Sequence, residues 1–207
     1  GVQTCALPIY LFFLALVNPN LQGVNPYSED LSLELKAAII LECKINPWYF
    51  FREVAMVPVE GSHTGKAFEL NRANISLLWS FFNHVRFFLI QPRQTGKSVS
   101  SDVLSSYLLT LGTLNTKINL LTKSNELRVK NIIRLKGCLD LLPDYIDIRD
   151  PKKDANNTET ITVNRLGNRY DTHVPQKSEK DANGVGRGLT TPIFLIDEAP
   201  FQPNIAI

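Results

Sequence analysis

The stretch Phe87-Phe88-Leu89-Ile90 is a continuous apolar run that leads directly into Gln91-Pro92-Arg93-Gln94-Thr95-Gly96-Lys97-Ser98. A helical pattern follows from about Lys97 to Leu111 and is closed by Gly112. A strand, a tight loop and a helix N-terminus in that order aim backbone N–H groups and the positive end of a helix dipole at one point, which suits a phosphate. In this setting Lys97 reaches toward β- and γ-phosphates and the Ser98 hydroxyl is a ligand for Mg²⁺. Gln91 stands where the usual pattern has its first glycine. A Gly-Lys-Ser tripeptide alone is common, so its context gives it weight.

A second apolar run, Ile193-Phe194-Leu195-Ile196, ends in Asp197-Glu198. Ends of parallel strands face the crevice where open α/β sheets bind ligands. Asp197 there binds Mg²⁺ through water, and Glu198 polarises the water that attacks a phosphate. Two adjacent carboxylates argue against a small-molecule kinase, which must keep water away from the reacting phosphate.

Between these motifs the pattern alternates strand and helix. Ile118 to Leu121 reads as a buried strand; Ser124 caps a helix to about Leu142, with Pro143 beyond it. Glu159 to Val163 and Arg169 to Val174 read as a strand pair around the Gly167-Asn168 turn. Upstream, Leu31 to Lys44 is a helix stopped by Asn46-Pro47, Val54 to Lys66 a loop or hairpin, and Asn71 to Val85 a second amphipathic helix. Strands that are apolar throughout belong to a parallel sheet covered on both faces. The expected fold is therefore α/β: a three-layer P-loop NTPase domain over 67–207, with a mostly parallel central sheet and a helical N-terminal appendage over 10–66.

Composition bounds the remaining classes. The 207 residues, 44% hydrophobic and 20% charged, suit one globular domain, and the net charge of +2 names no partner. Cys43 and Cys138 lie far apart without metal-ligand spacing, and His63, His84 and His173 are scattered, so no metal centre or catalytic triad is assigned to them. Ile9 to Val17 is apolar but shorter than the about 20 residues that span a bilayer. Gly1 to Ile9 reads as the translation of a sequencing adapter, and 1–9 are set aside with Cys5 as an assembly artefact.

The Arg93-Gln94-Thr95-Gly96-Lys97-Ser98 form of the loop, the strand ending Asp197-Glu198-Ala199, and Gly186-Arg187-Gly188 upstream of it together resemble the ATPase half of bacteriophage large terminases, over about Phe68 to Asn204. The resemblance implies a ring motor that uses ATP and Mg²⁺ to drive double-stranded DNA into a procapsid. It works at the portal with a small terminase subunit, on the assembling capsid in the host cytoplasm and without a membrane. The family's coupling motif and nuclease half fall outside these residues. Carried over by position, Gln91 to Ser98 hold the nucleotide, Ser98 and Asp197 the metal, and Glu198 activates water. Arg93 approaches the γ-phosphate as a charge-stabilising residue, and Arg187 reaches the nucleotide or a neighbouring subunit. Asn74 falls near the family's adenine-reading position, with Phe68 near the base. Lys123, Arg128, Lys130, Arg134 and Lys136 make a basic stripe that either follows DNA or is simply solvated. The alternatives are a superfamily 2 helicase-like or AAA+ ATPase and, in another class, a nucleotide-binding scaffold that does not hydrolyse.

Overall fold

Side chains that accept the first free backbone N–H groups set where helices begin in this chain. In the computed structural model, which describes residues 15–59, 61, 64–86, 89–90, 96–174 and 192–197, Ser32 accepts from Leu35 N and starts α1 (Leu33–Ile45). Asn71 accepts from Asn74 N and starts α2 (Arg72–Phe82). Ser124 accepts from Leu127 N and starts α4 (Asn125–Asp140). Each bond satisfies one of the donors that a helix N-terminus otherwise leaves unpaired. The exception is α3 (Lys97–Tyr107), whose N-cap is Gly96 with no capping side chain.

The sheet is mixed, with mostly parallel pairing. Its order is β4 (Thr160–Val163), β5 (Asn168–His173), β3 (Lys117–Leu121) and β6 (Ile193–Ile196). β3 runs parallel to β5 on one side and to β6 on the other, with Leu121 opposite His173 and Ile196. β4 pairs antiparallel with β5 through the turn at Gly167. A small hairpin, β1 (Met56–Val57) with β2 (Lys66–Ala67), occupies the region expected to be a loop or hairpin.

Successive strand residues face opposite ways, and the two faces of this sheet differ in kind. Ile118, Leu120, Ile161, Val163 and Tyr170 join one core cluster with Val103 and Leu104 of α3 and Ile132, Leu135 and Leu139 of α4. The opposite face carries a polar set: Asp171 accepts from Thr160 and pairs with Arg169, and His173 bonds Asn119 at 2.9 Å. At its β6 end, Phe194 and Ile196 are 41% and 43% exposed. Among the described residues α3 and α4 therefore cover one face, and β6 is not the doubly buried strand that its apolar composition predicts. Of the expected strand at Phe87 to Ile90, Phe87 and Phe88 lie outside the described residues, while Leu89 and Ile90 stand outside any strand and Ile90 is 94% exposed. A short apolar run carries no register information of its own, so pairing partners decide its state.

The helix after the loop also ends differently. It is α-helical only to Tyr107 and continues as a π-helical turn over Leu108–Gly112. Asn168 explains how that turn is held: its side-chain NH₂ donates to the carbonyls of Leu108, Leu109 and Thr113, while its Oδ1 accepts from Thr116 N. Gly112 is required by the Tyr107 ring, because a Cβ there would lie 2.4 Å from a ring carbon. A second π-helical turn, Phe50–Val54, follows the single helical turn Pro47–Tyr49, so Asn46-Pro47 redirects the chain into a new helical segment. Phe50, Phe51, Phe82 and Tyr107 pack edge-on or tilted at 5.1–6.0 Å. The N-terminal region thus shares one core with α3. Glu42, 1% exposed, accepts from Val17 N, Asn18 N and Asn46 Nδ2 and fastens the first described residues to α1.

Replacing Asn168 with Ala leaves buried backbone groups of two segments without partners. Each such group costs about 1–3 kcal/mol, so urea unfolding of Asn168→Ala should show a loss of about 3 kcal/mol. A loss below about 1 kcal/mol would remove the residue's structural role.

Candidate functional site

Gly96 has φ +81°, in the left-handed region that favours glycine, and a Cβ built there meets nothing within 4 Å among the described residues. The requirement is conformational rather than steric. This backbone setting delivers the chain into α3, and Gly96 at the N-cap has no side chain to satisfy the first N–H groups of the helix. Ser100, one turn in, stabilises the entry: its N donates to Gly96 O, and its one hydroxyl proton is shared between Asn74 Oδ1 at 2.6 Å and Gly96 O at 3.0 Å.

Lys97 and Asp197, distant in sequence, meet at this end of α3. Lys97 Nζ lies 3.8 Å from Asp197 Oδ1, with the lysine side chain 37% exposed and the aspartate 17%. The sheet register sets the approach: Asp197 N donates to Leu121 O at 2.9 Å, carrying the β3–β6 ladder one residue past the end of β6. A cation and a carboxylate thus meet at the carboxyl ends of parallel strands, beside a helix N-terminus whose first turn carries Ser98. Ser98 and Asp197 offer hard oxygen donors of the type Mg²⁺ takes when it shares its shell with phosphate oxygens.

Behind this end of α3 lies an ion pair whose carboxylate is buried and whose arginine is partly exposed. Asp102, 3% exposed, is paired with Arg134 of α4, and the other arm of Arg134 donates to Asn131 Oδ1 at 2.8 Å. Burial raises the Asp102 carboxyl to about 7 against the opposing pull of Arg134, and the Asp197 carboxylate adds to the rise. Burial also drives the Tyr170 hydroxyl well above its ordinary range, with Asp102 and Asp197 contributing, which places β5 in the same electrostatic neighbourhood. Sequence reasoning read Arg134 only as part of a basic stripe and did not single out Asp102. The available signal was the helical spacing: Asp102 is the one acidic residue of α3 and follows Ser98 by one turn.

Asn74 is 5% exposed, and its amide is engaged at both ends, donating to Glu69 O at 2.7 Å and accepting from Ser100. Phe68 is buried in the core, its ring tilted against that of Phe51 with centroids 6.5 Å apart. The basic residues of α4 have partners within the chain: Arg128 pairs with Glu159, Lys130 with Glu126, Arg134 with Asp102, and Lys136 donates to Asn156 O. Gln91, Pro92, Arg93, Gln94, Thr95, Arg187 and Glu198 lie outside the described residues. Among the described residues, no helix is long and apolar enough to cross a membrane. A cavity of about 750 Å³ lies elsewhere, between Leu16–Pro26 and Tyr49–Glu53, and Lys97 and Asp197 are not among the residues that line it.

Two expectations follow. Gly96→Ala should lose about 1–2 kcal/mol of stability from left-handed strain, and Gly96→Asn less, because asparagine tolerates that region; equal losses in urea unfolding would point to crowding instead. The Asp102 carboxyl is raised from its usual 3.8 to about 7, so the folded protein holds a proton the unfolded chain has released. Its stabilising contribution is complete below about pH 4 and disappears as pH climbs through 7. The melting temperature of wild type relative to Asp102→Asn should fall between pH 4 and 7, and parallel curves would place the carboxyl back in its ordinary range. No protein-family model matches the chain, and no curated protein matches it.

Proposed function

We propose that this chain hydrolyses ATP with Mg²⁺ as cofactor, and that it serves as the ATPase part of a DNA-packaging motor of the large-terminase kind. The observation that carries the ATPase reading is the meeting of Lys97 with Asp197 at the uncapped N-terminus of α3. An amine alone at a helix N-terminus describes any anion site. Its pairing with the carboxylate that ends a parallel strand describes one that also takes a cation.

In this reading the N–H groups at the start of α3 and the Lys97 ammonium hold the β- and γ-phosphates, with Gln91 to Thr95 completing the loop. Ser98 and Asp197 hold Mg²⁺, which when bound neutralises charge on the β- and γ-oxygens. Asp197 pairs with Lys97, and polyphosphate competes for the same ammonium. Glu198, the next residue in sequence, orients a water for in-line attack on the γ-phosphorus and accepts its proton. The bond from that phosphorus to the β–γ bridging oxygen breaks, giving ADP and inorganic phosphate. Arg93 and Arg187 supply positive charge to the transferring group. The motor assignment, with its portal, small subunit and ring of copies, rests on the form of the loop and of the Asp197-Glu198-Ala199 strand end rather than on the basic stripe, whose side chains have partners within the chain.

The test separates binding from turnover. Glu198→Gln should keep Mg-ATP affinity within a few-fold while turnover falls by about 10²-fold or more, the usual contribution of a positioned base. Lys97→Ala should lose affinity as well. Wild-type turnover in Glu198→Gln, or unchanged affinity in Lys97→Ala, would remove the reading.

A further inference from the structure

We propose that the half-buried Asp102–Arg134 pair is a positioning device for the phosphate-facing end of α3, setting the helix on α4 so that Lys97 and Ser98 reach the site. This rests on the reading of that end as the Mg-ATP site.

The polar side chains of α3 divide by position. Ser105 and Ser106, like Thr110 in the turn that follows, donate to carbonyls of their own helical segment. Ser100 and Asp102, in the first two turns, reach other elements: Ser100 bonds Asn74 of α2, and Asp102 pairs with Arg134 of α4. The tethers at the phosphate-facing end therefore run in two directions, and the one to α4 joins the Asp102 carboxyl to the Arg134 guanidinium.

Asp102 follows Ser98 by four residues, so the two lie one above the other on the same helix face. A small rotation or slide of α3 about the Asp102 contact moves Ser98 and Lys97 with it. Arg134 is itself held, since its second nitrogen donates to Asn131, 4% exposed, on the same helix. A planar guanidinium fixed at two points allows one angle of approach to the carboxylate, whereas an apolar contact slides. The three charges on these elements lie close enough to act on one another, because Asp197 influences Asp102, and Tyr170 of β5 senses Asp102, Arg134 and Asp197 together.

Stability does not account for the pair. Buried ion pairs carry a desolvation cost that a well-packed apolar pair avoids, and exchanging one for the other is often neutral or favourable. What the ionic pair supplies that Leu and Met do not is direction. A misplacement of about 1 Å in a phosphate-binding group can cost about 10²-fold in catalytic efficiency.

The experiment measures urea unfolding and Mg-ATP hydrolysis on wild type, Lys97→Ala, Arg134→Lys and the double variant Asp102→Leu/Arg134→Met. The expected result is a double variant as stable as wild type or more so, with kcat/KM down by about 10²-fold, mostly through KM. Arg134→Lys, which keeps the charge and loses the fork, should fall between the two. A stable double variant with kcat/KM within about twofold of wild type overturns the positioning role while leaving the ATP site standing. If the double variant does not fold, wild-type kcat/KM in Arg134→Lys overturns it equally. A wild type that does not hydrolyse Mg-ATP, with Lys97→Ala indistinguishable from it, removes the site reading and the proposal together.

Discussion

The candidate site depends on the parallel register of β3 with β6. That pairing aligns Leu121 with Ile196, and the further bond from Asp197 N to Leu121 O holds the aspartate at the mouth of the sheet. Shifting β6 by one residue would turn Asp197 to the other face, since strand side chains alternate with period two. The carboxylate would then point away from Lys97. Everything chemical about this end of the molecule rests on a backbone ladder whose two strands lie far apart in the chain.

The polar and apolar sides of the sheet show why the strand composition was only partly informative. Ile193 to Ile196 is apolar at every position, yet Phe194 and Ile196 sit on the face shared with Asn119, Asp171 and His173 and are well exposed, while Ile193 and Leu195 pack on the core. The alternation is plainer in β5, where Asn168, Tyr170 and Thr172 are buried and Arg169 is exposed. Asn168 is buried because its amide serves the carbonyls of the preceding π-helical turn, a task that no local pattern announces.

Helix starts were legible to within about two residues, because capping is local: Ser124 was read as a cap and Asn71 as a helix start, and Ser32 caps the helix expected from Leu31. The junction of Lys97 with Asp197 was legible as a helix-start motif and a strand-end motif, since both carry their chemistry in adjacent residues. Helix ends and tertiary partners were not. The change from α- to π-helix at Leu108 depends on Asn168 and on the fit of Tyr107 against Gly112, and the second helical segment after Asn46-Pro47 depends on aromatic packing. Arg134 read as surface charge because sequence alone does not show that Asp102 faces it across a helix pair. Asn74 is similar: at the start of α2 it looks like capping chemistry or a ligand contact, and its amide joins Glu69 O to Ser100.

The two described cysteines are both enclosed, Cys43 fully within α1 and Cys138 at 1% exposure within α4. Burial pushes the Cys43 thiol far up and Cys138 to about 12, so neither holds appreciable thiolate at neutral pH. They lie on the two helices that bracket the core, one in the N-terminal region and one against the sheet. Alkylating reagents reach such sulfurs only when the surrounding helix opens, so the labelling rate at each becomes a clock for the local opening of its own half of the molecule. Equal rates would mean that the N-terminal region and the sheet with its helices come apart as one unit, and unequal rates would rank which half yields first.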